Sequence, residues 1–173
     1  MLDPFYVIVD SAAWIARLLP CGVRLVQLRI KDQPDANVRA EIKEAKALCE
    51  RHGAQLVVND YWQQAIDTGC TFIHLGQGDL NTADLTAIRR AGVRFGISTH
   101  DEAELFCALE TEPDYIALGP IFPTILKAMA FAPRGNLLAI ASADDSTRVL
   151  ESWKLMWMNQ VFSSGFFLRE VVS

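Results

Sequence analysis

The chain has 173 residues, 51% of them hydrophobic, a length that suits one domain with a sizeable core and is too short for two ordinary domains. Its formal net charge is -5 and it has no block of Lys or Arg, which argues against a nucleic-acid surface because phosphate backbones need a concentrated basic stripe. No targeting segment is evident and no apolar run approaches the roughly 20 residues that cross a bilayer, so no membrane partner is expected.

Short β-rich runs alternate with helix-like stretches along the chain. The predicted strands cover residues 5–9, 23–30, 54–58, 71–75, 93–97 and 114–118. Between them, apolar residues recur every three or four positions and predict helices at residues 11–20, 35–52, 61–68, 82–91 and 101–111. Such a βαβα order predicts parallel strands.

Residues typical of helix ends support these boundaries. Helix-start residues are Ser11, Asp35, Thr82 and Asp101. Glycines that suit a left-handed helix end precede four of the strands, at Gly22, Gly53, Gly69 and Gly92. The cysteines Cys21, Cys49, Cys70 and Cys107 stand singly, without metal or disulfide spacing. We therefore expect them to be small core side chains of a protein in a reducing compartment, the cytoplasm.

The positions of the reactive side chains distinguish two architectures. An open doubly wound sheet gathers its binding residues at one switch point, whereas a barrel carries them at the carboxyl ends of many strands. Here five successive strands are followed by such residues: Arg29 and Lys31, Asn59 and Asp60, Gln77 and Asp79, Ser98 and His100, Thr124 and Lys127. The sequence therefore predicts a (β/α) TIM-type barrel.

One polar row in the second predicted strand indicates a ligand site. Gln27, Arg29 and Lys31 alternate with apolar residues, so they share one face of the strand. Strands of βαβ proteins are usually covered on both sides, and burying such charges without a partner is unfavourable. We therefore expect this row to point into the mouth of the barrel.

The residue types in the mouth suit a metal-bound diphosphate. Mg²⁺ takes one or two carboxylates together with phosphate oxygens, and Asp60 and Asp79 supply the carboxylates. Cationic side chains that bind phosphate oxygens are present in Arg29, Lys31 and Lys127. Ser98 near His100 lacks a nucleophile motif, so electrostatic assistance to a leaving group is favoured over covalent catalysis.

Structural roles compete with these assignments. Taken alone, Asp60 is better explained as the cap of a helix that begins at Tyr61. Asp101 and Glu104 resemble an ordinary helix cap, and His74 is more typical of a hydrogen-bonded core histidine than of a ligand. The sequence favours neither a structural nor a catalytic role for His100.

Five motifs resemble those of the thiamine-phosphate synthase family, in the family's order and spacing. They are VQLRIKD (26–32), VNDYWQQAI (58–66), HLGQGDL (74–80), GISTHD (96–101) and YIALGPIFPT (115–124), followed by Lys127. The resemblance implies a (β/α)₈ barrel that joins hydroxymethylpyrimidine diphosphate to a thiazole phosphate with Mg²⁺, releasing diphosphate and forming thiamine phosphate. In this family the diphosphate leaves first, and the thiazole nitrogen captures the resulting cation.

The resemblance also implies roles for individual residues. Gln27 would hold the pyrimidine, and Asp60 and Asp79 would be the Mg²⁺ ligands. The pyrimidine diphosphate would be contacted by Arg29, Lys31, Asn59, Ser98 and Lys127, of which Arg29, Lys31, Ser98 and Lys127 are the catalytic candidates. The family's Thr-x-Thr for the thiazole phosphate is represented here by Thr124 and Leu126, so one hydroxyl is replaced.

The resemblance fades after Gly135, which divides the domain into six barrel units at residues 1–135 and a divergent segment at residues 136–173. Strands are possible at 136–142 and 165–172, but the family's Gly pair after the seventh strand is missing. We therefore expect a barrel that is incomplete or altered after its sixth strand, with open edges that favour a homo-oligomer. An active synthase and a degenerate, non-catalytic barrel that binds the pyrimidine diphosphate both remain possible functions.

Overall fold

The computed structural model describes residues 2–119 and 140–142, the last three by their backbone alone. Its strands are β1 (Tyr6–Val9), β2 (Leu25–Leu28), β3 (Gln55–Asn59), β4 (Phe72–Leu75), β5 (Arg94–Thr99), β6 (Tyr115–Leu118) and β7 (Ile140–Ser142). The α-helices are α1 (Ala12–Leu18), α2 (Asp35–His52), α3 (Trp62–Asp67), α4 (Gln77–Leu80), α5 (Leu85–Arg90) and α6 (Glu102–Glu110), and a 3₁₀ turn covers Leu19–Cys21.

The strands form one sheet in sequence order, β1 to β7. The first six strands are parallel, and β7 pairs with β6 in the antiparallel direction. This arrangement is an incomplete α/β barrel, so the predicted fold class and its alteration after the sixth strand are confirmed. All four helix-ending glycines adopt a left-handed conformation, with φ between 63° and 94°. Among the described residues, no helix has the length and apolar character to cross a bilayer.

Alternating side chains build two apolar layers. Outward positions such as Val26, Leu28 and Ile73 pack under the helices, against Ile15 and Ile42 among others. Inward positions form a smaller cluster of Leu25, Val57, Phe72 and Tyr115, against which Tyr6 packs. The sheet is therefore covered on its outer face by helices, and its inner face carries apolar residues at one end and polar residues toward the carboxyl ends of the strands.

Several local predictions differ from the structure. The helix predicted at residues 82–91 begins at Leu85, because the Asp84 carboxylate, not Thr82, accepts the capping bond from Ala87 N at 2.9 Å. A separate turn, α4, precedes it and was not predicted. Of the strand expected within residues 136–142, the structure describes β7, while residues 136–139 and 143–173 lie outside the described part of the chain. Cys21 and Cys107 are exposed, so only Cys49 and Cys70 are core side chains.

Candidate active site

Two carboxylates meet at the carboxyl ends of β3 and β4. Asp60 directly follows β3, and its backbone N–H donates to the His74 carbonyl of β4 at 2.9 Å. Asp79 lies in α4, the turn that follows β4 after Gly76. The two side chains share a hydrogen bond, and the Gly76 backbone N–H donates to the Asp60 carboxylate. A Cβ at position 76 would lie 3.4 Å from Asp79 Oδ2 and 4.0 Å from Asp60 Oδ1, so both carboxylates converge over this glycine.

The electrostatics of this pair are unfavourable without a cation. Burial, and then the negative charge of Asp79 and its hydrogen bond, raise the pKa of Asp60 to about 6. The Gly76 N–H and the positive charge of Arg29 act in the opposite direction. Two neighbouring carboxylates, one of which has a raised pKa, favour a bound cation, which would replace the shared proton.

The donor set fits Mg²⁺ but not an all-protein metal cage. Carboxylate oxygens are hard ligands, and Mg²⁺ commonly binds one or two of them together with water and phosphate oxygens. Within residues 2–119 and 140–142, no group of three or more His, Cys, Asp or Glu side chains is arranged to hold a metal. The pair of Asp60 and Asp79 therefore suits an ion that takes its remaining ligands from a bound phosphate group.

The backbone at Asp60 is held in an unusual conformation. Its φ is 65°, in the left-handed region, where Asp is tolerated better than most residues other than glycine. The Asn59 amide donates to Asp60 Oδ2 at 2.5 Å, and no side chain caps α3, whose cap residue is Tyr61. The interpretation of Asp60 as a helix cap is therefore wrong. Asn59, buried at 4% exposure, orients the carboxylate through its amide.

Two of the three predicted cations, Arg29 and Lys31, lie beyond the end of β2. This strand ends at Leu28, so Arg29 and Lys31 do not continue it as the sequence predicted. The half-buried Arg29 is anchored by its backbone N–H, which donates to Val9 O at 2.7 Å. The exposed Lys31 lines an open cavity of about 590 Å³ together with Asp60 and Asp79. Its other lining residues are Ile30, Asp32, Tyr61, Trp62, Gln63, Gln64 and Thr82.

A line of hydrogen bonds crosses the inner face of the sheet below the mouth. The Gln27 amide donates to the Tyr6 hydroxyl at 2.8 Å, and the hydroxyls of Tyr6 and Tyr115 are 2.9 Å apart. His74 Nδ1 lies 2.6 Å from the Tyr115 hydroxyl, and His74 Nε2 lies 2.7 Å from Ser98 Oγ. The prediction of His74 as a hydrogen-bonded core histidine is confirmed. Gln27 is buried, and Ser98 is half-buried at the mouth.

Burial governs the ionisation of this line. It lowers the pKa of His74 to about 4, with a smaller contribution from the charge of Arg29. It also raises the pKa of Tyr6 to about 12 and that of Tyr115 well above its ordinary value. All three side chains are therefore neutral near pH 7.

His100 is attached to the start of α6. Its backbone N–H and its Nδ1 both lie 2.7 Å from Glu104 Oε2, and the Asp101 carboxylate accepts from Glu104 N at 2.9 Å. This geometry confirms the predicted cap by Asp101 and Glu104. Thr124 and Lys127, the last two predicted site residues, lie outside the described residues.

The sequence reasoning missed Tyr6, Tyr115 and Gly76 as parts of the site. The two tyrosines occupy inward positions in phase with Leu25 and Phe72, so the strand periodicity could have placed them inside. Gly76 follows directly after β4, where a turn without a side chain leaves room for the two carboxylates.

The fold and this mouth define an α/β-barrel protein whose polar residues stand at the carboxyl ends of successive parallel strands. A family model described as thiamine monophosphate synthase matches residues 5–147. The thiamine-phosphate synthase of Rhizobium etli is 63% identical over 134 residues, which cover 78% of this chain and 66% of the relative. That of Salmonella enteritidis is 54% identical over 173 residues, which cover 97% of this chain and 82% of the relative. The chain belongs to the thiamine monophosphate synthase family.

The structural comparison agrees with this assignment. The thiamine phosphate pyrophosphorylase from Pyrococcus furiosus superimposes with a TM-score of 0.62 at 26% identity, covering 69% of this chain and 61% of that chain. The chain spans 66% of the length of the Rhizobium relative and 61% of that of the thiamine-phosphate synthase from Serratia proteamaculans.

Proposed function

We propose that this chain joins hydroxymethylpyrimidine diphosphate to a thiazole phosphate, giving thiamine phosphate and free diphosphate. The observation that supports this most strongly is the contact between Asp60 and Asp79, a carboxylate pair beside the cavity lined by Lys31. The names of the relatives, thiamine-phosphate synthase and thiamine phosphate pyrophosphorylase, agree with the proposed reaction.

Each described residue of the mouth has a role in this proposal. Asp60 and Asp79 would hold Mg²⁺, which when bound supplies positive charge to the departing diphosphate. Arg29 and Lys31 bind the diphosphate oxygens, and Asn59 orients Asp60 through the amide bond described above. Gln27 has donated one amide hydrogen to Tyr6, which leaves its carbonyl oxygen to accept from an amino group of the pyrimidine.

The reaction requires charge stabilisation and orientation of the substrates. The bond between the pyrimidine methylene carbon and the diphosphate oxygen breaks, and its electron pair stays with the diphosphate. Arg29 and Lys31, with Lys127 by family resemblance, stabilise the charge that develops there. The lone pair of the thiazole nitrogen then forms the new bond to the methylene carbon. No proton is removed from carbon, which agrees with a site in which both nitrogens of the neutral His74 are already hydrogen-bonded.

A second candidate function is binding of the pyrimidine diphosphate without turnover. The observation that favours it is Leu126, which stands where the family carries the second Thr of its thiazole phosphate motif. A missing hydroxyl removes one hydrogen bond to an anion, which is worth roughly 1.5–3 kcal/mol.

Product formation distinguishes the two functions. Purified protein would be incubated with both substrates and Mg²⁺, and thiamine phosphate and diphosphate would be quantified by chromatography. The proposed reaction predicts equal amounts of both products and their loss in Asp79→Asn. Asp67→Asn is the matched control, because Asp67 forms an exposed ion pair with Arg39 outside the mouth. Binding of the pyrimidine diphosphate with no thiamine phosphate at saturating thiazole phosphate would favour the second function.

A further inference from the structure

A hydrogen-bonded line of five side chains joins the pyrimidine end of the proposed site to its diphosphate end. It runs from Gln27 through Tyr6, Tyr115 and His74 to Ser98, with successive separations of 2.8, 2.9, 2.6 and 2.7 Å. These residues come from five different strands, so the line depends on the curvature of the sheet around its inner face. We call it the interior relay.

The hydrogens along the interior relay can be counted from the chemistry of its members. The Gln27 amide nitrogen is a donor only, so the Tyr6 hydroxyl accepts from it. Each tyrosine has one hydroxyl hydrogen. The Tyr6 oxygen could also accept from Tyr115, but the hydrogen of Tyr6 would then have no acceptor among the described residues. In the order that satisfies every hydrogen, Tyr6 donates to Tyr115, and Tyr115 donates to His74 Nδ1. With Nδ1 as an acceptor, the neutral imidazole carries its hydrogen on Nε2 and donates it to Ser98 Oγ.

This order determines what Ser98 presents to the mouth. Its oxygen already accepts from His74, so its own hydroxyl hydrogen is available for an acceptor in the mouth. The Gln77 amide donates to the Ser98 carbonyl at 2.6 Å and fixes the backbone at this position. In the reverse order, Ser98 would donate to His74 and present only lone pairs, which repel a phosphate oxygen.

We propose that Tyr115 and His74 are positioning residues, which hold the Ser98 hydroxyl as a donor to the diphosphate. This inference rests on the proposed function for its ligand, while the hydrogen order itself depends only on the protein. In this role Tyr115 and His74 orient the Ser98 hydroxyl and do not transfer protons.

The tautomer of His74 tests the hydrogen order directly. Nitrogen-15 NMR of the imidazoles distinguishes an Nε2–H from an Nδ1–H ring, and the chain has only 3 histidines to assign. Wild-type protein is expected to show the Nε2–H form for His74. An Nδ1–H ring in the wild-type protein would overturn the proposal.

Two Tyr→Phe variants then separate the role of Tyr115 from general effects on the interior. Tyr115→Phe removes the hydroxyl that fixes Nδ1 as an acceptor, so the Nε2–H form should lose its preference and both tautomers of His74 should be populated. Tyr6→Phe removes the hydroxyl one step further away, and because Tyr115 keeps its hydrogen and its acceptor, the Nε2–H form should persist. The same tautomer in both variants would contradict the proposed order.

Binding of inorganic diphosphate with Mg²⁺ tests the consequence for the site. Ser98→Ala should weaken it by about ten- to hundredfold, the range for one hydrogen bond to a charged group. Tyr115→Phe should weaken it to a smaller extent, set by the fraction of His74 that carries its hydrogen on Nδ1. Unchanged affinity in Tyr115→Phe with weak binding in Ser98→Ala would refute the positioning role. Wild-type protein with the Nε2–H form and no diphosphate binding would instead refute the proposed function and leave the hydrogen order in place.

Discussion

Replacing Gly96 by Ala should disrupt the interior that supports the site. A Cβ at position 96 would lie 2.1 Å from both Cε1 and Cζ of Tyr115 and 2.6 Å from its Cδ1. Carbon atoms in contact are about 3.5–4.0 Å apart, so the ring would have to retreat by roughly 1.5 Å. Tyr115 is 1% exposed and lies between Phe72 and His74, with ring centroids at 5.6 and 5.5 Å, so little space is available.

The expected loss combines two effects. Overpacking of a core costs about 1–3 kcal/mol. Moving the ring also breaks the bonds of the Tyr115 hydroxyl to Tyr6 and His74, and a buried polar group without a partner costs about 1–3 kcal/mol. We expect Gly96→Ala to lower the free energy of unfolding by about 2–5 kcal/mol, measured by urea denaturation followed by circular dichroism.

Gly78→Ala is the matched control, because a Cβ at position 78 meets no atom within 4 Å. Its effect should stay within about 1 kcal/mol, the range of helix propensity for this exchange. In a Tyr115→Ala background, where the clash is absent, Gly96→Ala should cost much less than in the wild type. Equal effects of the two Gly→Ala exchanges, or an unchanged cost of Gly96→Ala in the Tyr115→Ala background, would refute the assigned packing.

Three further predictions concern the mouth. Without metal, the raised pKa of Asp60 means that the folded state keeps a proton that the unfolded state releases. The buried His74 has the opposite effect over the same pH range, so the effect of Asp60 is measured as a difference. Relative to Asp60→Asn, the stability of the wild type and of Asp67→Asn should fall by about 1–2 kcal/mol after solvent screening as the pH rises from about 4 to 6. Arg29→Met should weaken diphosphate binding in calorimetry without loss of stability, whereas unfolding with retained affinity would indicate a structural ion pair. Leu126→Thr should tighten thiazole phosphate binding by about tenfold or more relative to Leu126→Val, and equal affinities would exclude the lost hydroxyl as the cause.

The periodic parts of the fold could be predicted from the sequence because they follow from burial. The alternation of Val26, Gln27 and Leu28 predicts two different faces of the strand. In the structure Val26 and Leu28 lie on the outer face, in the apolar core under the helices, and Gln27 lies on the inner face. The left-handed glycines before β2 to β5 were likewise predictable, since few other residues adopt that conformation easily.

Features that depend on long-range contacts were not predictable in the same way. The antiparallel direction of β7 leaves no trace in its own residues, because both directions have the same period. From the sequence alone, Tyr115 resembles an ordinary core aromatic residue, because its hydrogen bonds to Tyr6 and His74 depend on the tertiary structure. The contact of Asp60 with Asp79 similarly depends on the turn at Gly76, although Asp60 directly follows β3, and Asp79 lies in the short helix after β4.

The central claim is that Asp60 and Asp79 hold one Mg²⁺ through which the diphosphate is bound. Calorimetric titration of hydroxymethylpyrimidine diphosphate, with and without Mg²⁺, would be carried out on the wild type, Asp60→Asn, Asp79→Asn, the double variant and the Asp67→Asn control. Because one ion is shared, each single variant should lose the Mg²⁺-dependent part of the affinity, and the double variant should lose little more. Unchanged Mg²⁺-dependent affinity in both single variants would contradict the claim.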